Sequence, residues 1–594
     1  MASPQSQNDA PRSPVFRVQT ALIRTAKTLV HHVKRHVGVG IICAVAYFDP
    51  GNWSVDLQAG SDFGYRPMLF VTLMAGLGAI VLQTLACKLG CVTGLDLASH
   101  CRLLLHNHPR HPRAVRRLVL YPLYVLSEVA IIATDLAELL GSAIGFCLLI
   151  PKLPVWGGVL ITAADVLIFL SFSDPSRNQG RPVRLFELTI ITLASHLTLA
   201  KSGNGASYLF QVLGVFACFV ALLVKTKPDW PQVFLGYLPD KGLFQSEPDA
   251  VYAAVGILGA TVMPHALFLG SSLATQDRVS DALPDEQATL PTPVSITVKA
   301  RQFVSSLFQF GRAERAASNI DYRSKYGERE NNPLSFIQQH LSHGIADVIT
   351  SLLALAVPIN SAILILAAAV FYQGPGQTRD TPAGLFDAHD LIIERIGPAA
   401  GVIFALALIC AGQTSSITVT LAGQIVSEGF IEWKVSPFAR RLITRCISLV
   451  PSMVVAIAVG RQGINTLLVA SQVILSVVLP FIAFPLIYLT SNVLVMRVRK
   501  PSPELITTVA SDAPPQGTEE MQNGNDSGLE EEKIEMREAA IEDSKAEQVQ
   551  VDPVYPAEFL DYSNSRTLCA LSYVIWCIVL VANAYAIVML MIKP

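Results

Sequence analysis

Asp49-Pro50-Gly51-Asn52 lies inside the apolar run from Val37 to Gly60, and Met263-Pro264-His265 lies inside the run from Val251 to Leu273. These two stretches decide how the rest of the chain is read. A proline in a helix interior removes a backbone hydrogen bond and clashes with the preceding turn, so a lipid-spanning helix keeps one where the freed carbonyls find a use. Here each proline, Pro50 followed by Gly51 and then Pro264, is flanked by side chains able to hold a metal or a proton. Two such breaks predict a polar site between two discontinuous helices.

The composition supports a membrane setting. The chain has 594 residues, of which 51% are hydrophobic and only 15% charged, with a mean hydropathy of +0.45. That excludes a soluble protein of ordinary composition and reads as an all-α polytopic membrane protein. The net charge of -2 averages two opposed regions. Residues 501 to 561 carry Glu519, Glu520, Glu530, Glu531, Glu532, Glu535, Glu538, Glu542 and Asp543 among Pro, Gly, Ser and Gln. Such a stretch cannot bury enough apolar surface to order itself and is expected to be a disordered loop. Five of the ten cysteines, Cys43, Cys147, Cys218, Cys410 and Cys577, sit in apolar runs as small hydrophobes, so no disulfide framework is implied.

Apolar stretches long enough to span fall near 37–60, 66–92, 118–149, 153–172, 206–225, 251–273, 343–372, 398–426, 442–459, 465–496 and 569–591. That gives about eleven spans. Lys and Arg collect in short cytoplasmic loops, and with a cytoplasmic N-terminus one side receives Lys34 and Arg35, Arg102 to Arg117, Arg177 to Arg184, Arg278 to Arg301, Lys434 to Arg441 and Arg497 to Lys500. Counting the short apolar piece 188–200, which contains His196, as a further span would invert everything after it, so it is excluded. The first and sixth spans then run in opposite directions, as expected for a 5+5 inverted repeat with its site at the midplane. The implied organisation is a cytoplasmic tail 1–36, six spans in 37–274, a cytoplasmic loop 275–342, four spans in 343–496, an acidic cytoplasmic loop 497–568 and a last span in 569–594.

The residues at the breaks set the chemistry. A carboxylate such as Asp49 is costly in lipid unless it meets water, a cation or a proton. Asn52 can present an amide oxygen, the unwinding at Pro50 and Gly51 turns the carbonyl of Ala46 inward, Met263 offers a thioether, and Pro264 deprives the carbonyl of Ala260 of its partner. Magnesium and calcium favour oxygen alone, whereas sulfur helps retain manganese, iron, cobalt and cadmium. Met263 therefore carries the selectivity. Singly, a methionine or proline in a span is commonly packing or a kink; the conjunction in both inverted halves points to a site.

Glu128, Asp135 and Glu138 in the third span share one helical face by their spacing. A face of this kind suits a proton or ion path, with His265 exchanging protons with the cavity and Arg440, Arg441 and Arg445 as counter-charges. The alternative is a static ion-pair network joining two helices.

At these residues the chain resembles the Nramp family of proton-coupled divalent metal transporters, in its fungal form. The resemblance rests on DPGNWSVDLQAG (49–60), SEVAIIATDLAELLGSAIG (127–145), GATVMPHALFLGSSL (259–273), AGQTSSITVTLAGQIVSEGF (411–430) and SQVILSVVLPF (471–481). It implies a LeuT-like fold and metal ligation by Asp49, Asn52, Met263 and the Ala260 carbonyl, joined by Ala46 or Gln472 in some conformations. It also implies proton roles for His265, Glu128, Asp135 and Glu138, with Arg445 as the best-aligned charge partner and Gln413 outside the ligand set. Two departures stand out: Ala266 and Gly270 replace the Asn and second His of many members, and 188–211 has no family counterpart, reading as an insertion or a gene-model error.

His100, Cys101, His106, His108 and His111 fit no zinc-motif spacing, and a basic lipid-facing loop is the favoured reading over a regulatory metal site. No nucleophile–base pair or nucleotide signature points to an enzyme, ATP coupling or nucleic acid. The leading expectation is a multi-pass importer of manganese or ferrous iron, with cobalt and cadmium as further cargo, coupled to protons and needing no cofactor. The plasma membrane and an endosomal or vacuolar membrane both suit it, and its cytoplasmic loops would offer docking for trafficking or ubiquitination factors. The alternatives are an amino-acid carrier of the same architecture and a metal-responsive receptor or scaffold.

Overall fold

The structure, a computed structural model, describes residues 40, 47, 49–172, 221, 223–245, 249–277, 331–372, 383–433, 437–500 and 558–592. Ala46, the stretch 188–211 and most of the fifth span lie outside them. The principal helices are α1 (Pro50–Phe63), α2 (Met68–Thr93), α3 (Leu97–Leu105), α4 (Tyr121–Leu149), α5 (Val155–Phe172), α6 (Ala250–Thr261), α7 (Pro264–Leu273), α8 (Leu334–Ser351), α9 (Val357–Phe371), α10 (Leu385–Arg395), α11 (Pro398–Ile431), α12 (Pro437–Ala458), α13 (Arg461–Ser491) and α14 (Arg566–Ile592). Among the described residues eight helical segments are long and apolar enough to cross a membrane. They correspond to the second, third, sixth to tenth and last of the expected spans. α5 covers the fourth, and α1 the C-terminal part of the first.

Neither proline sits within a continuous helix. Pro50 and Pro264 each occupy the first turn of a new helix, α1 and α7, where the missing N–H costs nothing and the fixed φ suits helical backbone. The capping residues Asp49 and Met263 are both extended, with ψ of 158° and 122°. The sixth span is thus α6 and α7 joined through Val262 and Met263. The third span reaches back through a π-helical Arg116–Leu120 to Pro112. The seventh starts at Leu334, earlier than hydropathy placed it, and passes through a second π-helical turn, Leu352–Ala356.

Packing surrounds the breaks with helices. α1 runs along α9 and also touches α4, α6 and α13, while α4 packs on α11, α12 and α13. A buried core built on Trp53, Leu136, Leu140, Ile363 and Leu408 fills one side of α1, and another centred on Leu82, Leu85, Phe268 and Leu479 fills the space around α7. Outward faces carry Val125, Val454, Val581 and Ile578 exposed, as a lipid-facing surface requires.

Two further expectations change. The ends of the acidic loop 497–568 are ordered: β1 (Arg497–Arg499) pairs antiparallel with β2 (Phe559–Asp561), and Lys500 meets Glu558 at 2.6 Å. The backbone groups of the two short segments satisfy each other, an option that composition does not reveal; residues 501–557 lie outside the description. His100 and Cys101 belong to α3 rather than to a loop, because Asp96 caps that helix by accepting from the N–H of Ser99.

Candidate metal and proton site

The site starts at the cap of α1. Asp49 accepts from the N–H of Gly51 at Oδ2 and from the N–H of Asn52 at Oδ1, both at 3.1 Å. The side chain of Asn52 turns back on the same group, its Nδ2 donating to Asp49 Oδ1 at 2.6 Å and to the carbonyl of Tyr47 at 2.9 Å. A carboxylate offers about four lone-pair positions, so one remains open on Oδ2. The N-terminal end of α1 also presents its positive dipole end to the carboxylate.

The amide of Asn52 is oriented by these bonds. With its nitrogen held on two acceptors, its Oδ1 faces α9 and accepts from Asn360 Nδ2 at 3.4 Å. The sequence reading assigns that oxygen to an ion, and the bond from Asn360 of the seventh span takes only one of its two lone pairs. Asn360 was not foreseen, and its only signal was a lone amide within an apolar run.

Gln472 of α13 lies against Gly51, where a Cβ would overlap the Gln472 amide nitrogen. Gln472 Nε2 donates to Ser471 at 3.1 Å, and its Oε1 has no partner among the described residues. The structure therefore brings Gln472 to Asp49 and Asn52 through Gly51. Gly51→Ala is expected to displace the glutamine and lower manganese uptake while the protein still elutes as a monodisperse species. Unchanged uptake would remove Gln472 from the site.

Met263 and His265 belong to the α7 cap and first turn. Pro264 has no N–H, so the carbonyl of Ala260 loses the partner one turn on. Asp49, Asn52, Ala260, Met263, His265 and Gln472 are each no more than 1% exposed, so the whole constellation is occluded. His265 Nδ1 lies 3.3 Å from Thr134 Oγ1, while its Nε2 is buried without a partner among the described residues. The backbone carbonyl of Ala266 accepts from Gln83 at 3.1 Å.

Thr134 leads to the acids of α4. Glu128 makes both carboxylate contacts with Arg440 at 2.8 Å. Asp135 meets Arg441 at 2.5 Å and Arg445 at 3.3 Å, and also accepts from Ser448. Both arginines reach Ser416 Oγ. Arg445 is thus the second partner of Asp135, behind Arg441. Glu138 differs, because Ser415 donates to its Oε1 at 2.5 Å while Oε2 is buried without a partner among the described residues. The static-network reading fits Glu128 and Asp135; Glu138 and His265 retain unused atoms. The hydroxyls of Ser415, Ser416 and Ser448 were missed, although the 414–420 stretch was visibly polar for a span.

Among the described residues no three His, Cys, Asp or Glu side chains gather where a metal could sit. His100 is bonded to Thr93 at 2.8 Å. Of the residues that the sequence reading assigns to the main site, Asp49 is the one acid; the others offer amides, carbonyls and sulfur.

Comparison with known proteins gives a consistent picture. The family model "Natural resistance-associated macrophage protein-like" (Nramp) matches residues 40–509. The iron transporter SMF3 of Saccharomyces cerevisiae is 38% identical over 471 residues, covering 79% of this chain and 84% of that protein. The manganese transporter pdt1 of Schizosaccharomyces pombe is 38% identical over 502 residues, covering 83% of each. A crystal structure of the Eremococcus coleocola manganese transporter, bound to an aromatic bis-isothiourea substituted compound, is similar with a TM-score of 0.58 and 25% identity. That match covers 93% of this chain and 85% of the other.

Proposed function

The chain belongs to the Nramp family and is a divalent metal transporter, not an enzyme, and from that premise we propose that it imports manganese or ferrous iron into the cytosol together with protons. The observation that carries the proposal is the pairing of a carboxylate and a thioether at the starts of two half-helices, Asp49 before α1 and Met263 before α7, both buried. Asp49 supplies charge, Met263 sulfur, and Ala260, Asn52 and Gln472 supply oxygens. Sulfur favours transition metals over calcium and magnesium.

Protons enter at Asp49 or His265 and pass by Thr134 to Glu138, whose Oε2 has no competing partner among the described residues. The ion pairs of Glu128 and Asp135 hold α4 to α12 along this route. The N-terminus and the two long loops face the cytosol. An amino-acid carrier is disfavoured at α1, because the first N–H groups of that helix, on Gly51, Asn52 and Trp53, already bond Asp49.

The test is uptake of radioactive manganese by proteoliposomes with an inward proton gradient. Wild type is expected to accumulate manganese and exclude calcium, and collapsing the gradient should slow uptake. In Met263→Ala, calcium is expected to enter as a competitor. A variant that transports manganese and still rejects calcium would end the role given to the thioether.

A further inference from the structure

Asp56 is a second carboxylate on α1, 2% exposed, and its Oδ2 has no hydrogen-bonding partner among the described residues. It lies four residues after Asn52 and four before Gly60, on the same side of the helix. Both of those residues meet α9. Asn52 accepts from Asn360, and a Cβ on Gly60 would stand 2.5 Å from the carbonyl oxygen of Leu364. Asp56 is therefore on the α1–α9 seam, and side chains on a helix lean toward its N-terminus, here toward Asn360.

The amide orientations along this seam are fixed in sequence. Asn52 gives its nitrogen to Asp49 and Tyr47, which leaves its oxygen for Asn360. Asn360 must then present its nitrogen to Asn52, so its own Oδ1 points away. That oxygen is buried with no partner among the described residues, as is the hydroxyl of the next residue, Ser361. The seam thus carries three buried oxygens, on Asp56, Asn360 and Ser361, that have no hydrogen-bond partner and no cationic side chain paired with them among the described residues. Buried acceptors left this way are costly, and a carboxylate in a span marks an ion or proton position by default.

Resting on the reading of this chain as a metal transporter, we propose that Asp56, the amide oxygen of Asn360 and the hydroxyl of Ser361 form a second cation position, about two helical turns along α1 from Asp49, that takes the transported divalent ion. Its donors are all oxygen. It lacks the sulfur of Met263, so it accepts calcium as readily as manganese and selects only for charge. Discrimination stays with the Asp49 and Met263 position, and the second position acts as a waiting place beside it.

Equilibrium dialysis of radioactive manganese against the purified full-length chain tests this. Wild type is expected to hold two ions, and excess calcium should displace one of them. Asp56→Asn, which keeps size and removes the charge, should hold one ion that calcium does not displace. Asp49→Ala should also hold one, displaced by calcium. Wild type that binds a single ion, or Asp56→Asn that binds as many as wild type, overturns the proposal. If Asp49→Ala kept both ions, the main-site assignment would fail while this one stood. Should Asp56→Asn not fold, the calcium arm on wild type decides: one of two ions displaced supports the second position, and neither or both displaced refutes it.

Discussion

Asp49→Ala is expected to abolish manganese uptake in proteoliposomes while leaving a folded protein. The carboxylate is the only formal charge in the proposed ligand set, so its loss leaves a divalent ion with neutral donors in a fully buried space. The effect should exceed the roughly 10–100-fold that loss of an outer-shell partner costs a metal site. Asp49 also organises its surroundings. It receives three hydrogen bonds, from the N–H groups of Gly51 and Asn52 and from the Asn52 amide. Asp49→Asn should therefore retain more of the cap and stability than Asp49→Ala, yet transport little better, because charge rather than hydrogen bonding holds the ion. Near wild-type uptake in Asp49→Asn would show that the carboxylate serves only as a helix cap.

The largest effect on stability is expected at Asp135. Arg441 and Arg445 are each 1% exposed and meet its carboxylate at 2.5 and 3.3 Å. Removing one partner of a buried ion pair leaves uncompensated charge, which costs about 3–5 kcal/mol. Asp135→Ala should lose most of its monodisperse protein after detergent extraction and melt well below wild type. Neutralising one arginine as well, in Asp135→Ala with Arg441→Met, should recover part of the loss, because contacting partners are not additive. A single variant as stable as wild type would mean that the arginines find water or another acceptor there. Glu138→Gln should differ in kind: its carboxylate has no arginine partner among the described contacts, only Ser415 at 2.5 Å, so stability should hold while proton-driven uptake falls.

Much of this was legible in the chain because lipid restricts what a sequence can do. Backbone groups cannot be left open in hydrocarbon, so the proline breaks at Pro50 and Pro264 and the intramembrane Asp49, Glu128, Asp135 and Glu138 stood out against apolar runs. Hydropathy located the long membrane-spanning helices now described, erred at their ends and gave no sign of the shorter α3 and α10. The polar first turns of α8, the helix α3 and the β1–β2 ladder depend on caps and pairing rather than on apolar run length.

The sequence by itself determined the membrane class, the two discontinuous helices and the residue types at their breaks, since each follows from local composition and from backbone chemistry at proline. Tertiary structure decided what those residues face. It put both prolines at helix starts, gave Asp135 to Arg441 ahead of Arg445, left Glu138 to a serine, and turned the oxygen of Asn52 toward Asn360. The reason is distance along the chain. The partners in those contacts are separated by 277 to 310 residues, and their pairing depends on how helices from the two halves rotate and pack, which local periodicity does not encode.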